Sequence, residues 1–235
     1  MSEVGLNTVR PERFRKLIGD SFEALDPVIA RARSQLEGRV VWHFNSTARG
    51  GGVAEMLRSY LAYVRGAGVD VRWMVVGGDS RFFELTKRLH NNLHGDPGDG
   101  GALGGAERRI YRSTLADATG EVAHLVRRGD VVFLHDPQTA GMVRPVHEVG
   151  ASVVWRCHVG VDRPNDLVRG AWDFLRPELD GADALVFSRQ RFVWDGLEGQ
   201  RIWIIPPTID AFSPKNQDMD AETVASVLGT IGLGP

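Results

Sequence analysis

Three clusters of polar residues follow short apolar runs, and each has the composition of a ligand-binding strand end. The first is Asn45-Ser46-Thr47-Ala48-Arg49-Gly50-Gly51-Gly52. Three glycines before a helix let the backbone approach a ligand closely. A helix beginning near Val53 then offers unpaired N–H groups and a partial positive charge, which suits a phosphate. A tight turn that needs positive φ explains the same glycines equally well. The second cluster is His135-Asp136-Pro137-Gln138, whose side chains can hydrogen-bond the hydroxyls of a sugar. Asp136 has a second explanation, as the cap of the next helix with Pro137 at its first position. That explanation leaves His135 and Gln138 without a reason. The third is Arg156-Cys157-His158. A guanidinium and an imidazole at a strand end suit an anionic or polyhydroxyl ligand. Cys157 alternates away from both and reads as a small buried residue.

Other chemistries fit less well. The glycine segment matches neither G-x-G-x-x-G nor G-x-x-x-x-G-K-[ST], the dinucleotide and P-loop signatures. His43, His135 and His158 lie on three separate strands, and no metal site is expected from them. There is no G-x-S-x-G nucleophile elbow, and Cys157 lacks the surroundings of a catalytic thiol.

The elements that must position these clusters follow from the apolar runs. Val40–Phe44, Val69–Val76, Val131–Leu134, Ser152–Trp155, Ala184–Phe187 and Ile202–Ile205 are continuous rather than alternating. Strands buried on both faces of a parallel sheet have that pattern. Helical stretches separate them, at Val53–Val64, Arg81–Asn92, Ser113–Arg128, Gln138–Val149 and Asp166–Leu179. The fold expected is α/β, a Rossmann-like doubly wound parallel sheet. In such sheets ligands bind outside the carboxyl ends of the strands, where strand order reverses. All three clusters sit at carboxyl ends. Residues 1–38 read as a helical extension, with Phe14, Leu17, Ile18, Phe22 and Leu25 at helical spacing and a break at Asp26-Pro27. Residues 39–215 form the Rossmann-like domain. Residues 216–235, with a helix over Ala221–Ile231, read as a linker.

Composition bounds the function. The 235 residues carry 28 Lys and Arg against 30 Asp and Glu, a net charge of -2. A nucleic-acid binder normally shows a basic excess, so none is expected. The single cysteine excludes an intramolecular disulfide and suits a reducing cytoplasm. No apolar run approaches the roughly 18 residues of a membrane span, and no signal peptide is apparent.

Several segments together resemble the N-terminal half of retaining, GT-B type glycosyltransferases, most closely those of the trehalose synthase and trehalose phosphorylase type. They are Phe44 through Glu55, Phe82-Phe83 with Thr86-Lys87 and His90-Asn91, His135 through Gln138, Trp155 through His158, Trp172 through Leu175, and Ile204 through Asn216. The glycine segment and the run Ile205-Pro206-Pro207, Ile209-Asp210, Ser213 through Asn216 are the specific ones.

The resemblance implies transfer of glucose from a nucleotide-glucose to glucose, with the donor's configuration retained. It implies that His158 contacts the transferred sugar near the reacting carbon and that Asp136 contacts acceptor hydroxyls. Gly50, Gly51 and Gly52 would lie against the donor diphosphate and the acceptor, with Asn45, Gln138 and Arg156 as neighbours. No cofactor and no metal are implied, and no covalent protein nucleophile. A second, C-terminal GT-B domain, in cis or in trans, would supply most contacts to the nucleotide. The N-terminal extension can serve a homodimer in such proteins. Two alternatives are a non-catalytic sugar- or partner-binding module of the same fold and an enzyme of the phosphorylase type.

Overall fold

A computed structural model describes residues 1–233. The chain opens with β1 (Ser2–Glu3), a 3₁₀ turn at Pro11–Phe14, α1 (Arg15–Ile18), a 3₁₀ stretch over Gly19–Leu25 and α2 (Asp26–Gln35). Then come β2 (Val41–Asn45), α3 (Gly52–Gly66), β3 (Val71–Val75), α4 (Ser80–Leu93), α5 (Gly105–Leu125) and β4 (Val131–His135). A 3₁₀ segment at Pro137–Met142 leads into α6 (Val143–Glu148), β5 (Ser152–Cys157) and α7 (Asp166–Leu175). β6 (Ala184–Phe187), β7 (Ile202–Ile204) and α8 (Ala221–Thr230) complete the described chain.

The seven strands form one sheet in the order β1-β3-β2-β4-β5-β6-β7. All neighbours are parallel except β1, which runs antiparallel to β3. The doubly wound parallel sheet expected from the apolar runs is present. The chain moves from β2 outward to β3, then crosses back over β2 to β4. The point where strand order reverses therefore lies between β2 and β4.

The strands alternate their side chains between two cores. Trp42, Phe44, Val132, Leu134, Val153, Trp155, Cys157, Leu185 and Phe187 face α4, α5, α6 and α7 in the larger one. Val41, Val71 and Trp73 face Ala54, Leu57 and Leu61 of α3 in the smaller. At ~25 cal/mol per Å² of apolar surface removed from water, such two-sided burial dominates the stability of the sheet. Asp79 caps α4 by accepting the Phe82 N–H at 2.9 Å, and Asn165 caps α7 through the N–H groups of Leu167 and Val168.

Residues 1–38 depart from expectation. The helical spacing of apolar residues forms mostly 3₁₀ turns, with only Phe22 of the five apolar residues fully buried. Leu17, Ile18 and Leu25 are exposed. Asp26-Pro27 starts α2 rather than breaking a helix, because a proline ring is tolerated where the first-turn N–H has no partner. Phe14 packs on Tyr63 of α3 at 4.9 Å between ring centroids and on Phe212 at 5.5 Å. The segment is ordered by docking against α3, not by a helical stripe of its own.

Candidate functional site

The carboxyl end of β4 holds the most unusual backbone in the molecule. Asp136 has φ 63°, and it is the one non-glycine residue with positive φ among those described. Such a conformation costs of order 1–3 kcal/mol and persists where the surroundings impose it. Here they do. The Asp136 N–H donates to Arg156 O at 2.9 Å, and its carbonyl accepts from Trp155 Nε1 at 3.0 Å. Its carboxylate makes no capping bond to the following 3₁₀ segment. It accepts the His158 backbone N–H at 2.7 Å instead. The capping explanation of Asp136 therefore falls, and β4 and β5 are tied together at their carboxyl ends.

That tie places Asp136 and His158 on one cavity of about 880 Å³. Gly52 at the start of α3, His90 near the end of α4, His94 just past it, and the 207–216 segment also line it. Two contacts with α3 secure that segment, from Tyr63 Oη to Asp210 Oδ1 at 3.2 Å and an ion pair between Lys215 and Glu55.

Burial sets the charge state of this site. Desolvation pushes the Asp136 carboxyl up to about 7, against the pull of the His158 N–H and the Arg156 cation. His158 is lowered to about 3, mainly by burial and then by Arg156. The imidazole is therefore neutral at physiological pH, and the carboxyl titrates close to it.

A row of histidines continues beneath. His158 Nε2 lies 3.0 Å from His135 Nδ1, and His135 Nε2 lies 2.9 Å from His43 Nδ1. His43 and His135 sit at the reversal point of the sheet, on adjacent strands and on the face toward α3. Burial lowers His43 to about 3 and takes His135 well below its ordinary value. His135 uses both ring nitrogens in these bonds, which a ring bound to a metal could not do.

The remaining expected residues fall elsewhere. Arg156 is buried on the same sheet face as His135, with Nη2 3.5 Å from Ile205 O and Nε without a partner. It does not line the cavity, and its charge acts on the site from below. Asn45 bonds Thr47 O at 2.8 Å and accepts from Trp73 Nε1 at 2.7 Å, so its amide shapes the glycine loop from within. Gly50 and Gly51 take φ 74° and 88°, the values a tight turn demands, and only Gly52 reaches the cavity. Gln138 is half-buried outside it. Two features went unread in the sequence. His90 and His94 have H-x-x-x-H spacing at the end of α4 and face the site. His43 stood inside an apolar strand, and only the pairing of β2 with β4 reveals its role. No cluster of three or more metal-ligating side chains occurs among the described residues.

A doubly wound parallel sheet with polar residues at the carboxyl ends of β4 and β5 has the Rossmann-like architecture of a GT-B domain. The trehalose-6-phosphate synthase OtsA superposes with a TM-score of 0.58 at 14% identity, over 83% of this chain and 55% of that one. An E. coli structure bound with UDP-2-fluoro glucose gives 0.59 at 12% identity, over 82% and 54%. These likenesses concern the fold. Residues 43–194 match the family described as trehalose synthase, N-terminal domain, and the chain belongs to that family. It is 32% identical to the trehalose synthase of Thermococcus litoralis over 96% of this chain and 52% of the relative. It is 34% identical to that of Rubrobacter xylanophilus, over 85% and 47%. A trehalose phosphorylase of Pleurotus sajor-caju is 28% identical over 89% and 29%. The chain thus spans about half the length of the trehalose synthases it matches.

Proposed function

We propose that this chain is the acceptor-side half of a retaining glycosyltransferase that moves glucose from a nucleotide-glucose to glucose, forming trehalose. The observation that carries the reading is the meeting of Asp136, His158 and the start of α3 on one cavity at the carboxyl ends of the strands. Asp136 Oδ1 takes the His158 N–H, and no described residue bonds Oδ2, which leaves it for an acceptor hydroxyl. The His158 imidazole stands next to it, where the transferred sugar would lie. The N–H groups at the start of α3 would face the diphosphate.

In the step proposed, the bond from the donor's anomeric carbon to the diphosphate oxygen breaks and a bond to the acceptor oxygen forms on the same face. The acceptor's proton passes to the leaving diphosphate. The chain's contribution is positioning and stabilisation of developing charge, and neither a metal nor a covalent protein nucleophile takes part. Nucleotide contacts would come from a second GT-B domain. The β7 edge offers a surface for it, with Trp203, Ile205 and Ile209 exposed. Among the described residues no helix is long and apolar enough to cross a membrane. A cytoplasmic site of action fits the single, buried cysteine.

The test combines the chain with a C-terminal half and follows trehalose formed from glucose and UDP-, ADP- or GDP-glucose. His158→Ala should lower turnover about 100- to 1,000-fold, the range for loss of one charge-stabilising donor, while the chain still folds, with a loss of about 1–3 kcal/mol for the His135 nitrogen left without its partner. Near-normal turnover in that variant would overturn the assignment. Release of glucose 1-phosphate from trehalose and inorganic phosphate would favour the phosphorylase alternative.

A further inference from the structure

The row His43–His135–His158 has a property that no single ring has. Three neutral imidazoles carry three N–H protons and three lone pairs. The two internal bonds, 2.9 and 3.0 Å long, use two of each. Both bonds must therefore run in the same direction, because His135 can donate from only one nitrogen. The third proton sits at one end, either on His43 Nε2 or on His158 Nδ1. The rings are held for this arrangement. His43 stacks on Phe133 at 4.7 Å with planes 2° apart, and successive rings in the row are tilted by 23° and 19°.

The two ends are not equivalent. His43 is 3% exposed, and no described residue accepts from its Nε2. A proton there would be a donor with no protein acceptor in a nearly closed place, whereas the other end of the row opens on the cavity. His158 is only partly buried and lines the cavity. The charged and titratable groups around the row do not set the direction, since Arg156 acts on both His43 and His158. Tyr60 lies edge-on to His43 at 6.2 Å, Arg156 shares its sheet face, and Asp136 meets only the His158 backbone.

We propose that His43 is a positioning residue, which acts through His135 to hold His158 as the Nδ1–H tautomer and so presents a neutral hydrogen-bond donor to the cavity. The donor would meet a sugar or phosphate oxygen. That last link rests on the function proposed above, whereas the tautomer does not.

Nitrogen-15 NMR of histidine-labelled chain near neutral pH, without any sugar, reads the tautomer of His158 directly. The expected result is a protonated Nδ1 and an unprotonated Nε2. His43→Asp places only acceptor oxygens at His135 Nε2. A neutral His135 must then donate from Nε2 and accept at Nδ1, so the His158 proton should move to Nε2. A His158 protonated on Nε2 in the wild-type chain would overturn the proposal even if His43→Asp failed to fold. So would a folded His43→Asp variant in which His135 is neutral and His158 still carries its proton on Nδ1. Failure to form trehalose would remove the functional reading and leave this result intact.

Discussion

One strand carries an aspartate beyond each of its ends, and the two have opposite surroundings. Asp130, before β4, is 3% exposed and accepts three N–H groups, from Val40 at 2.9 Å, Trp42 Nε1 at 3.0 Å and Arg127 at 3.0 Å. Asp136, after β4, is 9% exposed and accepts one, on a backbone with positive φ. Each aspartate also borders a large cavity, about 940 Å³ at the amino ends of the strands and about 880 Å³ at the carboxyl ends. Size alone would select the amino-end cavity. The chemistry selects the other, because a carboxylate already holding three N–H groups has little left for a ligand, whereas one holding a single N–H has most of its acceptor sites free. A carboxyl left under-bonded in a strained loop loses stability for the sake of what it faces.

The comparison predicts its largest effect at Asp130. Asp130→Ala would take the acceptor from three donors at once, of which Trp42 Nε1 is buried and the N–H groups of Val40 and Arg127 are partly so. A buried donor left without a partner costs about 1–3 kcal/mol, so a loss of about 2–4 kcal/mol is expected in urea unfolding. A loss below about 1 kcal/mol would erase the distinction between the two aspartates.

A second effect concerns pH, and the signs at the carboxyl end oppose one another. The three row histidines are lowered when folded, so each loses stability as pH falls below its unfolded value of 6.5. Asp136 is raised to about 7 from 3.8, so its contribution is complete below 3.8 and is lost as pH rises through 7. Between about pH 4 and 6 the unfolded chain holds three protons that the folded chain lacks, and the folded chain holds one that the unfolded chain lacks. The net uptake on unfolding is two, so stability should fall by about 3 kcal/mol per pH unit on acidification. Asp136→Asn removes the opposing proton and keeps the shape of the side chain, with an amide oxygen able to accept the His158 N–H. It should steepen the slope to about 4 kcal/mol per unit and raise stability above pH 7. Urea midpoints from pH 5 to 8 measure both, and an unchanged slope would show that Asp136 is ionised throughout.

What could be read from the sequence follows the same division. The six parallel strands were legible because burial on both faces leaves unbroken apolar runs. Their carboxyl ends were not, since His135 and Arg156-Cys157 extend β4 and β5 with residues that break the hydrophobic run. Asp136 and His158 were singled out because ligand residues collect after strands in this fold, and the structure brings both to one cavity. The three histidines could be named together as a weighed and rejected metal set, but their hydrogen-bonded row could not be read, because it depends on which strands pair and on side-chain parity across β2, β4 and β5. β1 has two residues and no periodicity to read. The 3₁₀ turns of residues 11–25 mimic helical spacing while their packing comes from Tyr63 and Phe212, far along the chain.

The smallest predicted effect separates the two explanations of the glycine loop. At Gly51, with φ 88°, any side chain is strained by about 1–2 kcal/mol, and that strain alone accounts for the glycine. Gly52 has no such reason. Its φ is not positive, nothing lies within 4 Å of where a Cβ would stand, and it is the first residue of α3. Gly52→Ala should therefore change stability by no more than about 0.5 kcal/mol, as surface substitutions usually do. The added methyl would project where a diphosphate or sugar must approach the N–H groups of α3. Thermal unfolding together with nucleotide-glucose affinity, measured on the chain combined with a C-terminal half, decides the matter. Unchanged stability with weakened binding makes the loop a cradle. Unchanged stability with unchanged binding makes it a turn, and moves the anion away from the start of α3.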